Sequence, residues 1–86
     1  MKITIEELQE YLFDHYKNGG IDQSLFMKLV EEIGEVAEVL NKKAGRKSVG
    51  QEDLQTQLGN ELADVVHYTI AIAALNGIDM NDIILS

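Results

Sequence analysis

The sequence predicts an all-α protein, a small bundle of three main helices followed by a short C-terminal helical segment. Two features favour this class: apolar residues recur every three or four positions over long stretches, and capping residues and glycines separate these stretches. The 86 residues suffice for one small domain, residues 1–86, with a modest core. The hydrophobic content of 45% is ordinary for a globular chain and argues against disorder.

The first predicted helix runs from about Ile5 to Lys17. Thr4 followed by Glu7 fits a capping box at its start, and the pair Gly19-Gly20 is expected to end it. Its apolar stripe comprises Leu8, Tyr11, Leu12, Phe13 and Tyr16.

The second helix is expected to be capped by Asp22 or Ser24 and to end near Lys43, with Gly45 just beyond it. A basic link with a glycine near each end, residues 44–50, should then form a mobile loop. The predicted core face of this helix comprises Leu25, Leu29, Ile33, Val36, Ala37 and Leu40.

The third helix is predicted from about Gln51 to Asn76, with a stop at Gly77. The segment from Asp79 to Ser86 can cap and start one or two further turns. One side of the third helix carries Leu58, Glu61, Val65, Tyr68 and Ile72.

Each of the two long helices carries a pair of acids at three-residue spacing, which places both carboxylates on one side of a helix. Glu32 and Glu35 form the first pair, and Glu61 and Asp64 the second. Glu32 is expected at the edge of an apolar face and Glu61 in the middle of one, where an unpaired acid would protonate or destabilise the fold. Two such helices facing each other can surround a divalent cation with four carboxylates.

Other polar residues have simpler explanations. His67 could extend a metal site, but it points about 120° away from Glu61 on a helix, which indicates a surface or interface histidine. Lys28 precedes Glu32 by one turn and fits an ion pair as well as a phosphate contact. The basic residues near the link are more simply explained by a helix C-terminus than by a phosphate clamp; they are Lys42, Lys43, Arg46 and Lys47.

Charge and composition exclude several classes of function. A formal charge of −8 argues against a nucleic-acid polymer or an anionic membrane as partner. The absence of cysteine excludes disulfides and thiol chemistry. The N-terminus lacks the apolar run of a signal peptide, and the longest apolar stretch is too short to span a bilayer. We therefore expect a cytoplasmic location.

At this point the residues resemble a known family. KLVEEIGEV (residues 28–36) and NELADVVHYTIAIAALNGID (residues 60–79) are similar to the all-α MazG-like nucleotide pyrophosphohydrolases, whose pattern is Glu-x-x-Glu, a spacer, then Glu-x-x-Asp. The resemblance implies Mg²⁺-dependent hydrolysis of nucleoside triphosphates to monophosphate and pyrophosphate, with Mn²⁺ able to substitute. It also implies the metal ligands: Glu32, Glu35, Glu61 and Asp64.

The chemistry of the residues agrees with that implication. Mg²⁺ takes oxygen ligands and keeps several waters, so carboxylates together with substrate phosphates suit it. Glu31 or Glu38 could accept the proton of an attacking water, and Glu31 is preferred. Lys28 is the candidate phosphate contact, because no P-loop pattern is present. Ordinary nucleotides and damaged ones, which would mean a house-cleaning role, both stay open as substrates.

Two other classes stay open. A carboxylate-bridged di-iron bundle would require Glu-x-x-His pairs, whereas the chain offers only Asp64-x-x-His67. A non-enzymatic helical interaction module would make the acids incidental.

Assembly is the last expectation. Three helices in a chain of this length cannot cover both sides of the third helix, which is apolar nearly all round, so a second copy should do so. The sequence therefore predicts a homodimer, or a tetramer made of two dimers. The residues expected to lie uncovered in one chain are Leu62, Val66, Ile70 and Ala73.

Overall fold

The computed structural model describes residues 2–19, 21–45 and 53–86. Within these ranges the chain forms four helices, α1 (Ile5–Tyr16), α2 (Asp22–Lys43), α3 (Leu54–Leu75) and α4 (Met80–Ile83), and no strand. The all-α prediction is therefore confirmed. None of the helices in these ranges combines the length and apolar character that crossing a membrane requires. Most of the predicted mobile link, residues 46–50, lies outside the described residues.

The start of α1 is the predicted capping box. The Thr4 hydroxyl accepts a hydrogen bond from the Glu7 backbone, and the Glu7 carboxylate accepts one from the Thr4 backbone, both at 3.0 Å. Only part of the predicted stripe is covered, because α1 packs mainly on one neighbour, α3. Leu12 is fully buried, whereas Tyr11 and Phe13 are exposed, which corrects their placement in the core stripe.

The start of α2 differs from the prediction. Ile21 occupies the cap position without a side-chain hydrogen bond, and Asp22 and Ser24 lie inside the helix. The Asp22 carboxylate instead accepts a hydrogen bond from the Asn76 amide at 3.1 Å. Neither predicted cap is used, and the Asp22 side chain instead links the beginning of α2 to the end of α3.

The start of α3 is capped by an acid for which no role was predicted. The Asp53 carboxylate accepts hydrogen bonds from the Thr56 backbone at 3.0 Å and from the Thr56 hydroxyl at 2.6 Å. These bonds lower the pKa of Asp53. Among the described residues α3 therefore begins at Leu54, and the predicted start near Gln51 lies outside them.

Glycines end both long helices as predicted. Gly45, beyond α2, has a φ of 76°, and Gly77, beyond α3, has a φ of 67°. This left-handed conformation costs little without a Cβ atom, so it stops a helix efficiently at glycine. The short α4 follows, capped by the Asp79 side chain, again as predicted.

The helices α2 and α3 pack antiparallel along their length. At one end the Lys43 amine donates to the Gln55 side chain at 3.0 Å, and at the other Asn76 bonds Asp22. The helix α1 packs on the C-terminal half of α3, where Gln9 donates to the Ile78 carbonyl at 2.7 Å. The N-terminal half of α3 therefore faces mainly α2. The core cluster comprises Leu12, Leu25, Ile70 and Ala71.

The prediction that Ile70 and Ala73 lie uncovered is wrong. Both are buried within the single chain. Ile70 packs in the cluster with Leu12 of α1, and the turn after α3 folds back so that the Ile78 backbone bonds the Ala73 carbonyl at 2.9 Å. Only Leu62 and Val66 of that predicted set are exposed.

Candidate metal centre

The face of α2 that packs on α3 shares Leu25, Leu29 and Val36 with the predicted face but is turned towards Glu32 and Val39. Glu32 lies within this face and is half-buried, rather than at its edge. The residues Ile33, Ala37 and Leu40, predicted as core, are exposed. The pattern is ambiguous because α2 carries two apolar stripes side by side, and pairing with α3 selects one of them. The selected face comprises Leu25, Leu29, Glu32, Val36 and Val39.

The opposing face of α3 follows the prediction. Glu61 is half-buried in the middle of its stripe. Its neighbours one to three turns away on that side are likewise at least partly buried: Leu58, Val65, Tyr68 and Ile72. Packing α2 against this side therefore brings Glu32 towards Glu61.

Three of the four predicted ligands converge. Glu32, Glu61 and Asp64 each offer a carboxylate oxygen, and these three oxygens lie within 4.8 Å of one another. Asp64 is exposed while the two glutamates are half-buried, so the group is open to solvent on one side. Converging carboxylate oxygens are the ligands that Mg²⁺ and Mn²⁺ prefer.

Two oxygens in this group lack any hydrogen-bond partner. Glu32 Oε2 and Glu61 Oε2 are both buried, and no donor in the described parts of the chain reaches either atom. A buried acceptor without a partner costs free energy, and a carboxylate costs more than a neutral group. A divalent cation would satisfy both oxygens, so the residues present fit a metal ion.

The carboxyls also perturb each other's protonation. The pKa of Glu61 is raised to about 7, chiefly by the neighbouring Glu35 carboxyl, then by burial and by Glu32. The pKa of Glu32 is raised as well, first by burial and then by the charges of Glu35 and Asp64, although a hydrogen bond with Glu61 opposes the shift. Without a cation, Glu32 and Glu61 therefore hold a proton more readily than an isolated glutamate would.

The fourth predicted ligand, Glu35, lies beside Glu61 but outside the group of three. Its side chain is exposed, and its carboxyl is the largest influence on the pKa of Glu61. Glu35 also lines a cavity of about 210 Å³ that continues from the carboxylates towards the C-terminal end of α2. The full lining of this cavity is Glu35, Glu38, Val39, Lys42, Gln57 and Glu61.

The other predicted site residues separate into two places. Glu38 lines the cavity together with Glu35 and Glu61. Glu31 lies on the outer surface of α2, where its carboxylate accepts a hydrogen bond from the Lys28 amine at 3.4 Å. The ion pair predicted as one explanation for Lys28 therefore exists, but with Glu31 rather than Glu32.

The cavity is also lined by Lys42 and Gln57, which were not predicted to lie beside the carboxylates. Lys42 was attributed to the helix C-terminus in preference to a phosphate clamp, and no role was predicted for Gln57. Their signal was present in the helical spacing: Lys42 follows Glu38 by one turn, and Gln57 precedes Glu61 by one turn. Spacing alone was insufficient because these residues meet only through the register of α2 against α3.

His67 is neither a surface histidine nor part of the carboxylate group. Its Nε2 atom shares a hydrogen bond of 2.6 Å with the Tyr16 hydroxyl, linking α3 to α1. Burial, followed by the nearby His15, lowers the pKa of His67. The Asp64-x-x-His67 spacing therefore does not supply the histidine that a di-iron site would need.

Two long antiparallel helices with converging carboxylates define an all-α protein that carries a carboxylate cluster between two of its helices. Residues 21–86 match the family model of the MazG nucleotide pyrophosphohydrolase domain, which is well over half of the chain. The chain belongs to this family. No curated protein matches it, and no solved structure does. The helix α1 precedes the matched residues.

Proposed function

We propose that this chain hydrolyses nucleoside triphosphates with Mg²⁺, cleaving between the α and β phosphates to release nucleoside monophosphate and pyrophosphate. Mn²⁺ is expected to replace Mg²⁺. The family supports the reaction type. A cytoplasmic location, and a role in removing non-canonical nucleotides, belong to the same proposal.

One observation carries the assignment of the site: the unpartnered buried oxygens of Glu32 and Glu61. A helical module whose acids were incidental would be expected to place them in solvent, where they cost little. Here two acids are half-buried against each other, with Asp64 within reach. That arrangement is stable as a charged group only if a cation is bound.

In the proposed reaction Glu32, Glu61 and Asp64 hold the metal ion, and Glu35 joins them as the fourth carboxylate. When bound, Mg²⁺ would neutralise the charge that develops on the pyrophosphate leaving group and lower the pKa of the attacking water. The half-buried glutamates fix the position of this charge, because packing between α2 and α3 restricts their side chains.

Either Glu31 or Glu38 would accept the proton of the attacking water. Glu38 lines the cavity beside Glu35 and Glu61, which supports Glu38, whereas Glu31 lies on the outer surface of α2. We therefore propose Glu38 as the general base in place of the initial preference for Glu31. Lys28 remains a candidate contact for the substrate.

We also propose that the chain forms a homodimer, or a tetramer built from two dimers, through an exposed apolar face of α2 and α3. On each helix, every residue of the exposed stripe comes one position after a residue of the stripe that packs between the helices. In an antiparallel pair this shift turns both stripes to the same side. The exposed face comprises Phe26, Val30, Ile33, Ala37 and Leu40 of α2 with Leu62 and Val66 of α3.

The distribution of charge favours this face as the place where a second copy would bind. The chain carries a formal charge of −8, so two copies repel over most of their surfaces. The exposed face contains no charged residue, and each of its 22-residue helices is about 33 Å long.

A panel of ordinary and modified nucleoside triphosphates with Mg²⁺ tests the proposed activity. The products are separated, because monophosphate with pyrophosphate indicates cleavage between the α and β phosphates, whereas diphosphate with phosphate indicates the β–γ bond. We expect monophosphate and pyrophosphate, and none after chelation of the metal. No hydrolysis of any member of a broad panel would contradict the proposal.

A further inference from the structure

We propose that Lys42 and Gln57 bind the pyrophosphate end of the nucleoside triphosphate, so that the substrate lies in one fixed direction along the groove between α2 and α3. This inference rests on the proposed function and assigns residues beyond the carboxylates. The nucleoside end would then extend the other way, towards Tyr68 and Lys28.

The cavity that contains Lys42 and Gln57 is continuous with the carboxylate group, because Glu61 belongs to both. Its volume is about 210 Å³. Lys42 is half-buried there, although lysine side chains usually lie in solvent. Among the described residues that line the cavity Val39 is the one apolar residue, so this lining suits a charged group better than a nucleobase.

The two lysines on this side of α2 lie at opposite ends of the carboxylates. Lys28 and Lys42 are each two helical turns from Glu35, or roughly 10 Å along the axis. Lys42 lines the cavity beside Glu61, whereas Lys28 is exposed at the far end of the carboxylates. The cation that lines the cavity is therefore the one placed to meet a phosphate beyond the metal.

The donors match the chemistry of a pyrophosphate group. A lysine ammonium offers three N–H donors and a glutamine amide two, and hydrogen bonds from a charged donor to phosphate are among the strong ones. Glu35, Glu38 and Glu61 line the same cavity and would repel a bare anion. Pyrophosphate should consequently bind there only together with Mg²⁺, which offsets that repulsion.

Calorimetry with inorganic pyrophosphate tests this assignment. The variant Lys42→Met keeps the aliphatic stem and removes the charge, and the adjacent exposed Lys43→Met is its matched control. With Mg²⁺ present, we expect Lys42→Met to weaken pyrophosphate binding about tenfold to a hundredfold and Lys43→Met to change it less than threefold. Binding of Mn²⁺ alone should be the same in both variants and the parent.

The outcomes separate this inference from the proposed function. If the parent hydrolyses nucleoside triphosphates while both variants bind pyrophosphate equally well, the assignment of Lys42 is overturned and the proposed function stands. Pyrophosphate binding that needs no Mg²⁺ would also overturn the assignment. If the parent neither hydrolyses nucleoside triphosphates nor binds pyrophosphate with Mg²⁺, the proposed function and this inference both fail.

Discussion

The Glu61 carboxyl is half-buried, has an oxygen without a hydrogen-bond partner and lies beside the carboxyls of Glu35 and Glu32. These neighbours and its burial raise its pKa to about 7, from an ordinary value of 4.5. Because a proton and a divalent cation would occupy the same place, their binding should be competitive.

Mn²⁺ binding should therefore release a proton. We expect an appreciable fraction of a proton per site at pH 6 and much less at pH 8, with weaker affinity at the lower pH. Calorimetry in two buffers of different ionisation enthalpy measures the released proton. A proton count and an affinity that do not change between pH 6 and pH 8 would contradict this account of Glu61.

The raised pKa of Glu61 should also affect the stability of the metal-free protein. The pKa of Glu61 is higher in the folded chain than in the unfolded chain, so the folded state binds the extra proton between about pH 4.5 and pH 7. Its contribution to stability is complete at low pH and is lost as the pH rises through about 7. The difference in unfolding free energy between the parent and Glu61→Gln should follow that course.

The sequence placed individual acids well because three-residue spacing is a local property of a helix. It predicted one site made of two acid pairs, Glu32 with Glu35 and Glu61 with Asp64. The structure brings together the oxygens of all of them except Glu35. It did not predict the partner of His67, Tyr16, which is distant in the sequence and belongs to another helix. Contacts between helices depend on their register and packing, and the spacing of residues within one helix determines neither.

The helix α1 supports the fold from outside the matched family segment. Its Leu12 side chain is 0% exposed and packs in the core cluster with Leu25 and Ile70. It covers the C-terminal half of α3, whereas the carboxylates of α3 lie in the N-terminal half. We infer that α1 stabilises the bundle without contributing a ligand.

The substitution Leu12→Ala should therefore lower the free energy of unfolding by about 2–5 kcal/mol, the usual cost of removing a buried leucine side chain. Tyr11→Ala, at a neighbouring position that is 64% exposed, is the control and should cost much less. Urea unfolding measures both. Folded Leu12→Ala should bind Mn²⁺ like the parent, and equal stability losses in the two variants would show that α1 is not docked as described.

Helix boundaries were largely predictable, while the orientation of α2 was not. The capping box of α1 and the glycines beyond α2 and α3 are local signals, and the structure contains them as predicted. The helix α2 carries two adjacent apolar stripes, and its own sequence does not distinguish them. The helix α3 determines which stripe is buried, because its side around Glu61 packs against the α2 stripe that contains Glu32.

At the scale of the whole molecule, the proposed assembly would use the exposed apolar face defined above. Ile33 lies within it and is 52% exposed, and Ile83 of α4, outside it, is also 52% exposed. A glutamate introduced into an apolar interface between two acidic chains loses hydration and adds repulsion. The same change at a free surface has little effect.

We expect the parent to sediment as a dimer or tetramer at micromolar concentration, Ile33→Glu to shift strongly towards monomer, and Ile83→Glu to behave like the parent. Analytical ultracentrifugation distinguishes these states. A parent that remains monomeric at tens of micromolar would contradict the proposed assembly.

We propose above that hydrolysis requires a divalent cation held by Glu61 and its neighbours. Glu61→Gln keeps the shape of the side chain and removes its charge, and Glu10→Gln, on the exposed side of α1, is the control. The direct measurement is Mn²⁺ affinity together with the rate of nucleoside triphosphate hydrolysis, on folded protein.

We predict that affinity and rate fall together by orders of magnitude in Glu61→Gln and stay unchanged in Glu10→Gln. The metal-free stability of Glu61→Gln should equal or exceed that of the parent, because one of several crowded carboxyls has lost its charge. Hydrolysis by Glu61→Gln at the rate of the parent would contradict the requirement for a cation held by Glu61.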